Sequence, residues 1–249
     1  MVMAEATNHY FKHLGVSDGL SQVCIPSIYQ DELGAVWLGT TEGLNRYNGK
    51  DVRVFQPSES NHGLTNNEIN ELCGDKNGRM YIRSGNDLIK LDIYTEQFTC
   101  LRQKGVYGLF CKKDTLWVSC ADGIYYYTGQ GTELTFFARV QKGFVGRALY
   151  VDRETVWVVT RKYLVAISRE DPLRQEILLT LDKGNCILGD SSGNIWVGAW
   201  NGLYRVSPDR ETTAYVSHSG MGELSDNQVR CVLEDDFKHI WVGTFKGID

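Results

Sequence analysis

One short motif recurs along the whole chain, and it limits the possible folds more than any other feature. Its clearest copy reads Asp-x-x-Gly-x-Ile-Trp-Val-Gly and begins at Asp190, and similar copies begin at Asp31 and Asp235. A regular spacing indicates that each copy is one supersecondary unit of a repeat protein. Aligned on the tryptophan, the copies follow one another every 36 to 45 residues and are centred on Trp37, Tyr81, Trp117, Trp157, Trp196 and Trp241.

Each copy has the same internal order of strands and turns. An apolar strand precedes the Asp-x-x-Gly turn, the tryptophan strand follows it, and a second turn with glycine leads into a third strand. The fourth strand is more polar, as in residues 97–101 and 213–217. No segment has a helical period, so almost no helix is expected. Four antiparallel strands in about 40 residues are typical of a propeller blade.

The sequence therefore predicts an all-β fold, a β-propeller of four-stranded antiparallel blades that occupies residues 1–249 as one domain. It has about six repeats, five complete and a partial sixth that stops at Asp249, where its third strand should begin. Residues 1–16 resemble the end of the fifth repeat and are expected to form an N-terminal outer strand without its own blade. We expect the chain to be a fragment of a longer sensor with two propellers.

The recurrent aspartates and tryptophans are interpreted as scaffold. An aspartate at the first position of a tight turn accepts hydrogen bonds from the following backbone N–H groups. One such residue per blade is what a structural role predicts, and the tryptophans are expected to fill the space between blades. The turn aspartates are Asp31, Asp75, Asp152, Asp190 and Asp235.

The joint pattern resembles the two-component regulator propeller repeat. The best copy runs from Gly19-Leu-Ser21 through Trp37-Leu-Gly-Thr40 to Gly43-Leu-Asn-Arg-Tyr47. The resemblance implies the periplasmic sensor part of an inner-membrane, Bacteroides-type hybrid two-component system, whose signal peptide, membrane span, kinase and DNA-binding parts are not in this chain. It also implies an oligosaccharide ligand, a homodimer of the full-length sensor and control of polysaccharide utilisation genes.

Composition and missing motifs exclude several other functions. A net charge of -5 and a pI near 5.6 argue against binding of nucleic acid or an anionic membrane by this chain. There is no Gly-x-Ser-x-Gly, His-Glu-x-x-His or P-loop motif, so no catalytic residue and no cofactor are predicted. The seven cysteines form no Cys-x-x-Cys pair and the five histidines have no ligand spacing, so no metal site is predicted.

Departures from the repeat mark the candidate ligand contacts, because the fold does not require them. In a propeller of this strand order, the turn after the second strand and the link into the first strand share one face. That face mixes basic, amide and aromatic groups, as carbohydrate sites often do, and Trp200 is a candidate for stacking on a sugar ring. The predicted ligand-binding residues are Arg83, Arg161, Lys162, Trp200 and Asn201.

Two other classes of function stay open. A propeller glycosidase or polysaccharide lyase needs two carboxylates that face one cleft, and Glu42 and Asp122 are the candidates for such a pair. A protein-interaction scaffold of the WD-repeat type is the other alternative, although the Gly-His and Trp-Asp signature of that repeat is missing.

Overall fold

The computed structural model describes residues 13–57, 63–217 and 224–249. In these ranges the chain forms 22 strands, and its helical segments are two short 3-10 turns at Val16–Asp18 and Gln141–Gly143. Neither segment is long or apolar enough to cross a membrane. Five sheets have four antiparallel strands and one has two, so the predicted all-β propeller architecture of four-stranded blades is confirmed.

Each blade is built from consecutive strands. Blade 1 contains β1 (Ser27–Gln30), β2 (Val36–Thr40), β3 (Gly43–Tyr47) and β4 (Val52–Phe55). Blade 2 contains β5 (Ile69–Gly74), β6 (Arg79–Ser84), β7 (Asp87–Asp92) and β8 (Gln97–Lys104). Blade 3 contains β9 (Val106–Lys112), β10 (Thr115–Cys120), β11 (Ile124–Tyr127) and β12 (Thr135–Ala138).

The other three blades continue the same series. Blade 4 contains β13 (Gly146–Val151), β14 (Thr155–Thr160), β15 (Tyr163–Ser168) and β16 (Gln175–Thr180). Blade 5 contains β17 (Cys186–Gly189), β18 (Ile195–Ala199), β19 (Gly202–Val206) and β20 (Thr212–Tyr215). Blade 6 has β21 (Val229–Glu234) and β22 (Ile240–Thr244) within the described residues.

The first strands of the blades surround a central space. They pack side by side in the order β1, β5, β9, β13, β17 and β21, and each is the inner edge of its own sheet. In the described part of the chain, β1 and β21 lack the close packing that joins the other neighbours. Most of the predicted outer strand at residues 1–16 lies outside the described residues, so that strand stays a prediction.

The turn aspartate of a repeat joins its turn to the tryptophan of the next strand. Asp31 Oδ1 accepts hydrogen bonds from the backbone N–H groups of Leu33 and Ala35, at 3.0 and 2.9 Å. Its other oxygen accepts the indole N–H of Trp37 at 2.7 Å. Gly34 completes the turn with a φ of 85°, which a side chain would disfavour. The predicted role of the aspartate in the turn is confirmed.

The indole hydrogen bond recurs in three other blades. The donor–acceptor pairs are Trp157 with Asp152 at 2.6 Å, Trp196 with Asp190 at 2.8 Å and Trp241 with Asp235 at 2.8 Å. Blade 2 has Tyr81 instead of tryptophan, and there the second oxygen of Asp75 accepts from the guanidinium of Arg79. One carboxylate therefore holds both the turn and the following strand.

The tryptophans differ in burial along the series. Trp37, Trp117 and Trp157 are buried between blades as predicted, and Trp196 is half-buried. Trp241 is 46% exposed, so the prediction that it packs between blades is wrong. Within the described residues its blade has two strands instead of four, which leaves less protein to cover the indole ring.

Glycines let neighbouring blades approach closely. A Cβ atom on Gly198 would lie 2.6 Å from Cγ1 of Val229 in the next blade. A Cβ atom on Gly108 would lie 2.6 Å from the backbone oxygen of Arg147, which cannot turn away as a side chain can. The interface between blades 3 and 4 therefore needs a residue without a side chain at position 108.

Replacing Asp31 tests the turn-to-indole connection. Asp31→Ala leaves two turn amides and a buried indole N–H without their acceptor, and we expect the free energy of unfolding to fall by about 3 kcal/mol. Asp235→Ala is the control, because it removes the equivalent bonds, and one more to the exposed His239 ring, around an exposed tryptophan. Its loss should be clearly smaller. Urea unfolding followed by tryptophan fluorescence measures both. Equal losses in the two variants would contradict the idea that burial increases the contribution of these hydrogen bonds to stability.

Replacing Gly108 tests the close approach of blades 3 and 4. Gly108→Ala should lower the free energy of unfolding by about 1–3 kcal/mol, because the new methyl group overlaps a backbone oxygen. Gly15→Ala is the control, since a Cβ atom there meets nothing closer than 3.7 Å. The comparison is made by thermal unfolding. If Gly108→Ala leaves the stability unchanged, the two blades can move apart without loss of free energy.

Candidate functional site

A cavity of about 430 Å³ lies where the first strands of the six blades converge. Small-molecule sites in proteins typically measure roughly 300–1,000 Å³. At the beginning of each first strand, one residue per blade lines the cavity, and these residues occupy equivalent positions of the repeat. We call them the mouth residues: Pro26, Asn70, Tyr107, Arg147, Asn185 and Arg230.

Four of the mouth residues are the extra residue of a β-bulge. In blade 4, Gly146 pairs with Thr160 and Ala148 pairs with Val159, so Arg147 has no partner on the neighbouring strand. The neighbouring strand likewise offers no pairing partner to Asn70, Tyr107 and Arg230 in their own blades. A bulge bends the strand and changes the direction of a side chain, and bulges are common next to functional sites.

The mouth of the cavity lies on the face where the sequence places its candidates. The first strands begin on this face, and backbone hydrogen bonds join the turns after the second strands to the links that enter the first strands. Gly85 N donates to Glu68 O at 2.8 Å, and Trp200 N donates to Asp182 O at 2.9 Å. The predicted sharing of one face by turns and links is confirmed.

Arg83 lies in the wall of this cavity, beside Glu71, the one carboxylate among the described residues that line it. Gly39 occupies the equivalent position in blade 1, so the arginine is a departure from the repeat. Arg83 Nε lies 3.4 Å from Glu71 Oε2, but the two groups are too poorly aligned for a hydrogen bond. Burial raises the pKa of Glu71 to about 7, and the nearby charge of Arg83 and the N–H of Leu109 oppose that rise.

Arg147 and Arg230 are the other two cations of the cavity. Within the described residues, no carboxylate oxygen lies within 4.0 Å of either guanidinium group. The Arg230 guanidinium stands 5.6 Å from the ring centres of Trp200 and of Phe245. Asn185 donates from Nδ2 to the Arg230 backbone oxygen at 2.9 Å, which fixes the strand that carries this arginine.

Arg161 and Lys162 line a second cavity of about 410 Å³ on the same face. Tyr107 and Arg147 line both cavities, so the second one is an extension of the first. The side chains of Arg161 and Lys162 are exposed, while their backbone oxygens accept hydrogen bonds from Gly184 and Leu181.

Trp200 and Asn201 lie in the turn before β19 and line neither cavity, although the Trp200 ring stands near the Arg230 guanidinium. The ammonium group of Lys183 lies 3.5 Å from the centre of the Trp200 ring, so one contact of that ring is already made by protein. Both polar atoms of the Asn201 side chain are bonded, Nδ2 to the hydroxyl of Tyr204 and Oδ1 to the N–H of Asp182. That the two residues touch a ligand stays a prediction.

The structure thus brings three of the five predicted residues to the joined cavities, namely Arg83, Arg161 and Lys162. Sequence reasoning missed the mouth residues and Glu71. A signal for the mouth residues was present, because Arg147 and Arg230 each stand five positions before the turn aspartate of their repeat. Their chemical type changes from blade to blade, so they form no recognisable motif.

The two carboxylates proposed for an enzyme lie away from the central cavity. Glu42 and Asp122 are exposed and neither lines it. Asp122 Oδ2 accepts a hydrogen bond from the hydroxyl of Tyr125 at 2.8 Å, and Asp122 lines a separate cavity of about 210 Å³. For metal ions, no group of three or more possible ligands occurs among the described residues.

Glu71 makes the stability of the protein depend on pH. Its pKa of about 7 exceeds the ordinary value of 4.5, so the folded chain binds more protons than the unfolded chain between these two values. The contribution of Glu71 to stability is therefore complete below pH 4.5 and is lost as the pH rises towards about 7. Glu71→Gln should raise the free energy of unfolding by about 2 kcal/mol at pH 8 and change it little at pH 4.5, measured by urea unfolding. A gain of the same size at both pH values would contradict this assignment.

Comparison with known proteins gives the sequence relatives of the chain. Residues 223–246 match the two component regulator propeller family. Histidine kinase P4 of Formosa agariphila is 38% identical over 53 residues, which is 21% of this chain and 4% of that protein. The chain thus spans a very small part of this curated relative. The predicted resemblance to two-component regulator propeller repeats is confirmed.

Solved structures with the same fold include an extracellular domain of a two component system and an enzyme. The extracellular domain of the hybrid two component system BT3049 from B. thetaiotaomicron superposes with a TM-score of 0.74 at 21% identity, over 95% of this chain and 41% of that chain. Virginiamycin B lyase from Staphylococcus aureus superposes with a TM-score of 0.68 at 12% identity, over 90% of this chain and 78% of that chain. Likeness at these identities establishes the propeller fold.

Proposed function

We propose that this chain, which carries two component regulator propeller repeats, is a ligand-sensing domain without catalytic activity that binds an oligosaccharide. The observation that carries the proposal is the central cavity with its ring of mouth residues. Tyr107 supplies an aromatic face, Asn70 and Asn185 supply amides, and Arg147 and Arg230 supply guanidinium groups. Aromatic faces with convergent hydrogen-bonding groups suit the apolar ring faces and the hydroxyl groups of a sugar.

The relatives support a place for the chain outside the cytoplasm. One relative is a histidine kinase, and the solved BT3049 domain is the extracellular part of a hybrid two component system. We infer that the chain is the periplasmic part of an inner-membrane sensor that acts as a homodimer and regulates polysaccharide utilisation genes. A ligand can shift such a sensor only if it binds one arrangement of the dimer better than the other.

An enzyme that cleaves glycans is the second candidate. It is favoured by the likeness to virginiamycin B lyase and by Glu71, whose pKa near 7 is suitable for a general acid or base. A glycosidase needs two carboxylates across the scissile bond, and among the described residues that line the central cavity Glu71 is the one carboxylate. The geometry therefore favours binding over turnover.

Titration calorimetry with a panel of neutral and acidic oligosaccharides tests the proposal. We expect at least one of them to bind the 249-residue chain, and Tyr107→Ala to weaken that binding about tenfold through loss of the aromatic contact. Phe237→Ala is the matched control, because Phe237 is 82% exposed in a turn on the opposite face. Chromatography of the sugars after prolonged incubation should show them unchanged. Release of shorter sugars would favour the enzyme. If none of the oligosaccharides binds, the proposal of a sugar sensor is rejected.

A further inference from the structure

The central cavity concentrates positive charge in a chain whose net charge is -5. Its three arginines come from alternate blades, Arg83 from blade 2, Arg147 from blade 4 and Arg230 from blade 6. Glu71 is the one carboxylate among the described lining residues, and it is half-protonated near pH 7. The cavity therefore carries a net positive charge that the composition of the whole chain does not suggest.

Arg147 and Arg230 differ from the arginines of the chain that carboxylates neutralise. Arg46 and Arg53 share Glu96, and Arg210 pairs with Glu176. Arg147 and Arg230 have no such partner among the described residues, and Arg83 has a poorly aligned one. A guanidinium group offers five N–H donors in a planar fork that matches a carboxylate. Among the described residues, no carboxylate takes the N–H donors of Arg147 and Arg230, so these donors can bind an anion brought by a ligand.

Two buried polar atoms at the cavity also lack partners. Asn70 Oδ1 and Arg83 Nε are buried without a hydrogen bond, whereas Asn70 Nδ2 donates to Glu68 Oε1 at 2.7 Å. Buried polar atoms are nearly always hydrogen-bonded in folded proteins, so these two atoms call for an explanation. Both atoms are covered by protein, so a ligand reaches them only when the side chains that line the cavity move.

The backbone holds the two unpaired arginines in defined positions. Arg147 and Arg230 are both bulge residues, so the ladder hydrogen bonds on each side fix where their side chains begin. Asn185 holds the Arg230 carbonyl, and the rings of Trp200 and Phe245 stand beside its guanidinium. Pre-organised groups lose less freedom when a ligand arrives, which strengthens binding.

We propose that the central cavity binds the carboxylate of an acidic sugar residue in the oligosaccharide, with Arg147 and Arg230 as its main partners and Arg83 below them. This assignment rests on the proposed function, since it names the class of sugar that the sensor recognises. Tyr107, which also lines the cavity, contacts the sugar ring. Glu71 opposes the ligand through its own negative charge and limits the affinity.

A matched pair of ligands isolates the charge. Trigalacturonate and its methyl ester have the same rings and hydroxyl groups, but the ester is neutral. Calorimetry at pH 7.5 should show the acid binding at least tenfold more tightly than the ester. A sulfated chondroitin disaccharide and its unsulfated form test the other anionic group, and the unsulfated form, which keeps its carboxylate, should bind comparably.

Variants locate the effect in the cavity. Arg147→Ala and Arg230→Ala should each weaken binding of trigalacturonate about tenfold or more and leave the affinity for the methyl ester within twofold. Arg153→Ala is the control, because Arg153 is exposed in a turn on the opposite face. Glu71→Gln should tighten binding of the acid about threefold or more, a gain that a misfolded variant cannot produce.

The outcomes separate the two proposals. Equal affinities for acid and ester, or equal losses for both in the arginine variants, would overturn the acidic-sugar assignment and leave the oligosaccharide sensor standing. Binding that requires sulfate would overturn the choice of a carboxylate. If no sugar of either kind binds, the sensor function and the assignment fail together.

Discussion

The carboxylate of the turn aspartate is the interaction on which the repeated structure depends. It accepts turn amides with one oxygen and an indole N–H with the other, as Asp31 does with Ala35 and Trp37. These bonds fix the first and second strands of a blade to each other, and they need no contact with a neighbouring blade. Because each blade can bury its faces only against its neighbours, a constant blade geometry is what allows the series to stack.

This scaffold leaves particular positions free to vary. Where blades meet, Gly108 and Gly198 admit a neighbouring strand so closely that a side chain would collide with it. The mouth residues face the cavity instead, and their types range from Pro26 through Tyr107 to Arg230 without disturbing a blade. The repeat thus has two kinds of position. Some positions are fixed by the fold, and others, such as the mouth residues, can vary to suit a ligand.

The repeat also explains how much the sequence could predict. Strand order, blade number and the turn aspartates follow from local patterns, and the structure agrees with them. Arg83 could be predicted as a candidate because it replaces a glycine of the motif. The positions of Arg147 and Arg230 hold a different type of residue in most blades, so neither arginine departs from a motif. The two come together only where the first strands converge. The exposure of Trp241 depends on how many strands cover its ring, and the local sequence motif around Trp241 contains no information on that number.

The pair of Glu71 and Arg83 links the charge of the cavity to proton uptake. The carboxylate of Glu71 partly neutralises Arg83, which makes three arginines around one space easier to tolerate. An anion that approaches Arg83 weakens the hold of that arginine on Glu71 and adds a like charge beside it, and both effects raise the pKa of Glu71 further. Since that pKa already lies near 7, we expect the proposed binding of an acidic sugar to be accompanied by uptake of a proton. By the reciprocity of linked equilibria, a fall in pH strengthens the binding of the same ligand.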